Sequence, residues 1–185
     1  MVTRQIGVFL DSAPNGDLRV VSACAGQGLD LIGALKDHVR APDVSALLVE
    51  SDHRNIEQGR ALAARPGLTR LTFVEADAGA LGAYASHVPA QLVLLCGVFG
   101  NVSDSDVHRT VTNVRRLCAE GATVIWTRHR NPPDLTPQIR AWFEAEGFVL
   151  VDFTAPPEDL FTVGTVRLKA PPKPFEDRTI FRFVR

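Results

Sequence analysis

Apolar residues in this chain fall into two patterns: short, nearly unbroken runs, and longer stretches where they recur every three or four positions. Leu18–Ala23 (LRVVSA), 45–49 (SALLV), 69–74, 91–96 (QLVLLC), 122–127 (ATVIWT) and 148–153 are of the first kind. They are too short for helices and favour branched apolar residues, so each predicts a strand covered on both faces. The second pattern predicts helices between them. One opens at Asp30 with Leu31, Ile32 and Leu35 inward, and a second runs over 55–65 to the Pro66-Gly67 stop. A third covers the small residues 78–86, and a fourth covers 103–119, with Ser103 as N-cap and Glu120-Gly121 as its stop. The last covers 135–146, with Ile139, Trp142 and Phe143 inward and Gly147 as C-cap. Residues 1–17 are weakly patterned and read as a turn of helix or an extended cap, ended by Pro14-Asn15-Gly16-Asp17. After the sixth strand no helix intervenes. Residues 163–169 alternate apolar and polar like a half-exposed strand, 170–174 bend on prolines, and 179–184 predict a more apolar final strand, deeper in the sheet.

Strand and helix alternating in this way imply an α/β fold with a doubly wound, mostly parallel, seven-stranded sheet and helices on both faces. A last strand reached without a crossover helix must enter antiparallel. The domain reading is a short cap over 1–17 and a single domain over 18–185. Ligands of such folds bind outside the carboxyl ends of the strands, where strand order reverses. Here those ends carry 24–28, Glu50, Asp77, 96–101 and 128–130, and the glycines and polar residues gather there.

Composition narrows the function classes. A chain of 185 residues with 45% apolar and 22% charged residues suits one packed domain. A formal net charge of −1 without a basic stripe argues against nucleic acid as a partner. No signal peptide or membrane-spanning run is visible, so the expected location is cytoplasmic, with no membrane partner. The cysteines, Cys24, Cys96 and Cys118, are odd in number and lack Cys/His ligand spacing, which predicts reduced thiols and no metal site.

The candidate chemistry starts at Ala25-Gly26-Gln27-Gly28, a glycine turn between strand and helix. Such a turn lets a ligand approach the backbone and turns N–H groups toward it. Glu50 ends the second strand, about twenty residues on, where a carboxylate can accept from ribose hydroxyls. Asp77 ends the third strand, where it can accept from an adenine amine. Either acid alone reads equally as a solvated terminus or a helix cap; both in register with a glycine turn describe an adenosine site.

At these residues the chain resembles the class I S-adenosylmethionine-dependent methyltransferases, from about Leu18 onward. VVSACAGQG looks like the family's first motif, LLVESD like the second with Glu50 as ribose acid, and FVEADA like the third with Asp77 and Ala78 at the adenine. LVLLCGVFGNV looks like the strand-four motif beside the methionine part, and GATVIWT like the strand after it. The resemblance implies a Rossmann-like methyltransferase fold with S-adenosylmethionine as cofactor. It implies cofactor contacts from Ser22, Cys24, Ala25, Gly26, Gly28, Glu50, Ser51, Asp77, Ala78, Cys96, Gly97 and Val98. Two positions depart from the family pattern: Ser22 stands where an acid is usual, and Cys24 where the first glycine is usual. Ser22 would hold the cofactor's amino group more weakly than an acid, and Cys24 narrows the turn. About seventeen residues precede Leu18, too few for the family's multi-helix lid.

Methyl transfer is an in-line displacement in which positioning and desolvation supply much of the rate. Polar residues near the expected crevice are Asn101, Asp104, His108, Arg128, His129 and Asp134. His129 between two arginines reads as a general base kept neutral, or as part of a solvated basic loop; the arginines could instead hold an anionic substrate. Asn101 reads as orienting an acceptor or as a loop residue satisfying backbone groups. His108 lies inside a helix, and His53 opens one beside Glu50. Cys24 and Cys96 either flank the cofactor or simply pack. Strand four lacks the Asn/Asp-Pro-Pro-aromatic motif of nucleic-acid amino-methyltransferases, which leaves a small-molecule acceptor. The rival readings are a non-catalytic protein on the same fold and an NAD-dependent oxidoreductase. Leu31 stands in place of the latter's third glycine. A short N-terminus leaves an apolar face that a second subunit could cover, as in a homodimer.

Overall fold

The computed structural model describes residues 1–158 and 160–184; Arg185, the end of the expected 18–185 domain, lies outside the described residues, as does Asp159. Seven strands form one sheet: β1 (Leu18–Ala23), β2 (Val44–Glu50), β3 (Leu71–Glu75), β4 (Ala90–Leu95), β5 (Cys118–His129), β6 (Phe148–Thr154) and β7 (Phe161–Leu168). Their order is β3-β2-β1-β4-β5-β7-β6. The first five strands are parallel, and β7 enters antiparallel between β5 and β6. Strand order therefore reverses between β1 and β4, where such folds open a crevice.

The unbroken apolar runs have a direct cause: both faces of the sheet are covered. Val21, Leu47, Val49, Val93, Leu95, Val124 and Trp126 face one core, with α4 (Asp104–Asn113) and α5 (Thr136–Ala145). Val20, Ala46, Leu48, Leu92, Leu94 and Ile125 face the other, with α1 (Val2–Ser12), α2 (Leu29–Leu35) and α3 (His53–Ala64). The weak N-terminal pattern resolves into a full helix: α1 buries Val2, Gln5, Ile6, Phe9 and Leu10, one stripe at helical spacing. No helix among the described residues is long and apolar enough to cross a membrane.

Three expectations need correction. The 78–86 helix is a 3-10 turn, Leu81–His87. Its small residues offer no apolar stripe, and Gly79 is needed bare because a Cβ there would run into the Phe181 carbonyl. The 103–119 helix ends at Asn113, and after one 3-10 turn (Val114–Arg116) the chain is already strand at Cys118. Glu120-Gly121 stops no helix. It sits inside β5 where the register with β4 slips, with Gly121 at φ 68°. Finally, 179–184 is not a sheet strand; it makes isolated bridges, Thr179 to Ala80 and Phe183 to Val102. The deep antiparallel strand is β7. Its threonines are buried with internal partners: Thr162 donates to the Arg128 carbonyl (2.7 Å) and Thr165 to Gln5 Oε1 (3.3 Å). Gly164 lies flat against Trp126, where any side chain would collide. At the outer edge, β6 leaves Val149, Leu150 and Val151 exposed.

Candidate nucleoside-binding crevice

The turn after β1 begins with Cys24 at φ 52°, left-handed backbone that favours glycine. Gly26 and Gly28 follow at φ 54° and 71°. They differ in surroundings. A Cβ on Gly28 would meet Leu48 Cδ2 at 2.7 Å, whereas nothing lies within 4 Å of one on Gly26. Gly28 is thus glycine for packing, and Gly26 leaves open space where a ligand can reach the backbone.

Glu50 is brought onto this turn. Its Oε2 accepts from Gly26 N–H (2.8 Å), and its Oε1 accepts from Ser51 and Asp52 N–H (both 2.9 Å). A carboxylate has about four lone-pair sites, so Oε1 is saturated by these two bonds and Oε2 keeps one for a ligand. Asp77 uses Oδ1 to accept from Gly79 N–H (2.8 Å), which leaves its second oxygen. Tyr84, buried below, donates to the Ala78 carbonyl (2.8 Å) and fixes that loop.

Two hollows open on this rim and share Cys24. The smaller, about 220 Å³, is lined by Cys24, Glu50, Ser51, Asp77, Ala78 and Phe183. The larger, about 430 Å³, lies over the glycine turn and is lined among others by Ser22, Asp30, Cys96, Gly97, Thr127 and Phe161. Ala25, Gly26 and Gly28 line it too, with Met1 and Val2 of α1. Burial, helped by Glu50 and Asp77, pushes the Cys24 thiol up to about 12. Burial likewise raises Cys96. Both thiols are therefore neutral near pH 7.

Of the twelve expected cofactor contacts, all but Val98 line one of these hollows; Asn101, His129 and the other polar candidates line neither. Val98 is fully buried in the core. Asn101 turns its amide back, donating to the Gly97 carbonyl (2.7 Å). His129 lines neither hollow; its ring packs beside Gly100, and its Nδ1 is buried without a partner. The flanking arginines serve backbone groups: Arg128 donates to the Phe99 carbonyl and sits 3.7 Å from Asp104, and Arg130 donates to the Pro156 carbonyl. Asp134 accepts from the N–H of Thr136, the first residue of α5, and the His108 ring lies 4.7 Å from that of Trp142, tilted by 39°. His53 sits between Glu75 (3.0 Å) and Glu57 (3.4 Å).

Sequence reasoning does not place Asp30, Phe161 or Phe183 at the rim; it expects residues 1–17 as a turn of helix or an extended cap over the crevice, and Met1 and Val2 of α1 line the larger hollow. Asp30 reads only as a helix opener, but it faces the larger hollow and accepts from Thr3 of α1 (3.1 Å). The stripe of Val2, Ile6, Phe9 and Leu10 was the available signal for α1.

No protein-family model matches this sequence, and no curated protein does. Solved structures do match, and they are mostly methyltransferases. An O-methyltransferase family protein from Burkholderia thailandensis superposes with a TM-score of 0.68 at 13% identity, over 93% of this chain and 57% of that one. Magnesium protoporphyrin IX methyltransferase from Synechocystis PCC 6803, with bound SAM, gives 0.66 at 13% identity, over 90% of this chain and 78% of that one. A possible exported protein from Bordetella parapertussis gives 0.68 at 16% identity, over 91% of this chain and 67% of that one. This chain thus spans little more than half of the Burkholderia protein. It has the Rossmann-like fold of the class I methyltransferases.

Proposed function

We propose that this chain is an S-adenosylmethionine-dependent methyltransferase acting on a small-molecule acceptor. One observation carries the reading: two hollows of unlike chemistry meet at Cys24, along the carboxyl ends of β1 to β4. A nucleoside joined to an amino acid has that division. The free oxygen positions of Glu50 and Asp77 suit a ribose hydroxyl and an exocyclic amine. Ser22 and Asp30, on the larger hollow, suit the ammonium of the amino-acid part. Bare Gly26 gives room between them.

When bound, this cofactor supplies a sulfonium methyl group that transfers by in-line displacement. The chain's part is to hold and desolvate. Leu31, Leu94, Cys96 and Phe161 line the larger hollow and exclude water from the path of attack. The thiols facing it hold their protons, and Asp30 is engaged by Thr3. The contribution of these residues is positioning, and it suits an acceptor that already carries a free lone pair at neutral pH.

Calorimetry with S-adenosylhomocysteine tests the reading. Micromolar binding is expected, with a rise in melting temperature that NADH does not produce. Absence of heat and of any thermal shift would remove the proposal. A second reading, a cofactor-binding protein without turnover, draws on Cys24 in left-handed backbone at a glycine position and on Asn101 bound to backbone. Acceptor-dependent methyl transfer over a broad panel would rule it out.

A further inference from the structure

Residues 178–184 cross the rim of the crevice as a strap held along its length. Leu81 N–H donates to the Arg178 carbonyl (3.0 Å), and Ile180 N–H donates to the Gly79 carbonyl (2.8 Å). Arg182 N–H donates to Asp106 Oδ2 (3.1 Å), and Val184 N–H donates to the Asn101 carbonyl (3.0 Å). Ile180 and Phe181 are sunk in the core. Gly79 lets the strap lie this close, since a methyl group there would strike the Phe181 carbonyl. The next aromatic is treated differently. Phe183 is 46% exposed and forms one wall of the smaller hollow. Phe181 meets it edge-on, with centroids 5.6 Å apart and planes at 74°, which restricts its ring.

The other residues of that hollow, Glu50, Ser51, Asp77, Ala78 and Cys24, offer polar groups and small surfaces. They can address the edges of a nucleoside. Among the described lining residues only Phe183 can address the flat face of a base. An aromatic ring left half in water, over a cavity rimmed with acids and held by flanking backbone bonds, is a preorganised stacking surface. We propose that Phe183 is the wall on which the adenine ring stacks, so that the strap is part of the nucleoside site. This rests on the cofactor reading above.

The test is calorimetry on the full chain with S-adenosylhomocysteine and, separately, adenosine. Phe183→Ala is expected to weaken both by about ten-fold, and by the same factor, because both carry the base. Phe183→Tyr is expected to stay within about three-fold of the unsubstituted protein. Phe183→Leu keeps apolar contact with Phe181 but lacks the π-face; it should lose affinity like the alanine variant and guards against a simple folding defect. Unchanged affinity in Phe183→Ala and Phe183→Leu would overturn the proposal while leaving the cofactor reading intact. Tighter binding would also overturn it and make Phe183 a plug. If the unsubstituted protein binds neither ligand, both the wall and the cofactor reading fall.

Discussion

The hollows on either side of Cys24 are built in opposite ways. The smaller is framed by acids whose oxygens are pinned by backbone N–H groups, and it is walled by a strap tied down along its length. The larger is closed by Met1 and Val2 of α1, and beside Leu31, Leu94, Phe161 and two neutral thiols it carries Ser22, Asp30 and Thr127. The smaller hollow therefore presents acids fixed in place by backbone groups, and the larger one sets single polar groups among apolar walls. A similar contrast separates Glu50 from the basic segment 128–130. Both are charged strand ends, but Glu50 retains a free oxygen position at a cavity, whereas Arg128 and Arg130 serve carbonyls of their own chain.

Glu50→Ala should break the comparison most severely. It strands the N–H groups of Gly26, Ser51 and Asp52. We expect a loss of about 3 kcal/mol in urea unfolding, as for charge-assisted bonds to backbone, together with loss of measurable S-adenosylhomocysteine binding. Retained affinity would show that the acid is only structural.

The two glycines sharpen the contrast. Gly28→Ala adds a left-handed Cβ against Leu48 and should destabilise by about 2 kcal/mol. Gly26→Ala meets nothing in the protein and should cost about 1 kcal/mol from backbone strain. Its effect on cofactor affinity should be the larger one. Equal effects of the two variants on binding and stability would refute this division.

The buried thiols predict a pH dependence. Cys24 ionises at about 12 when folded, against an ordinary value near 9. Below pH 9 neither state has ionised and the stability is fully present. As pH rises from 9 toward 12 the unfolded chain loses its proton first, so stability falls, by about 1 kcal/mol per thiol between pH 9 and 10. Denaturation followed over that range should show a shallower fall in Cys24→Ser; an identical slope would place the titration elsewhere. The smallest effect belongs to Asp30→Asn, expected to weaken S-adenosylmethionine by about three-fold through one ionic contact while leaving adenosine unchanged. Equal weakening of both ligands would move Asp30 out of the amino-acid end.

The fold and half of the crevice were readable from the chain because local chemistry and global position agree there. Leu18–Ala23 is buried on both faces, and its glycine turn must follow it; Glu50 ends the adjacent strand, and parallel register brings it back to Gly26. Where the deciding partner is remote, the reading failed. Thr165 looked half-exposed because its acceptor, on Gln5, is far away in sequence. Ile180 and Phe181 looked like a strand because burial was legible, but the absence of a ladder was not. The strap follows from Gly79, a residue whose meaning appears only with Phe181 beside it. His129 and Asn101 were plausible by position, yet a carbonyl takes up the Asn101 amide and Gly100 stands beside the His129 ring.

The outer strand β6 has a practical consequence. Val149, Leu150 and Val151 are exposed on a strand whose far side, among the described residues, has no neighbour in the sheet. Such a margin is a template for self-addition, blunted here by Asp152 and by the register shift between Leu150 and Asp152, with no lysine or proline between Phe148 and Thr154. Light scattering against protein concentration is the measurement that shows such self-addition. A single lysine at Val151 is the natural first remedy for precipitation, placed on the opposite side of the sheet order from the acids of the crevice.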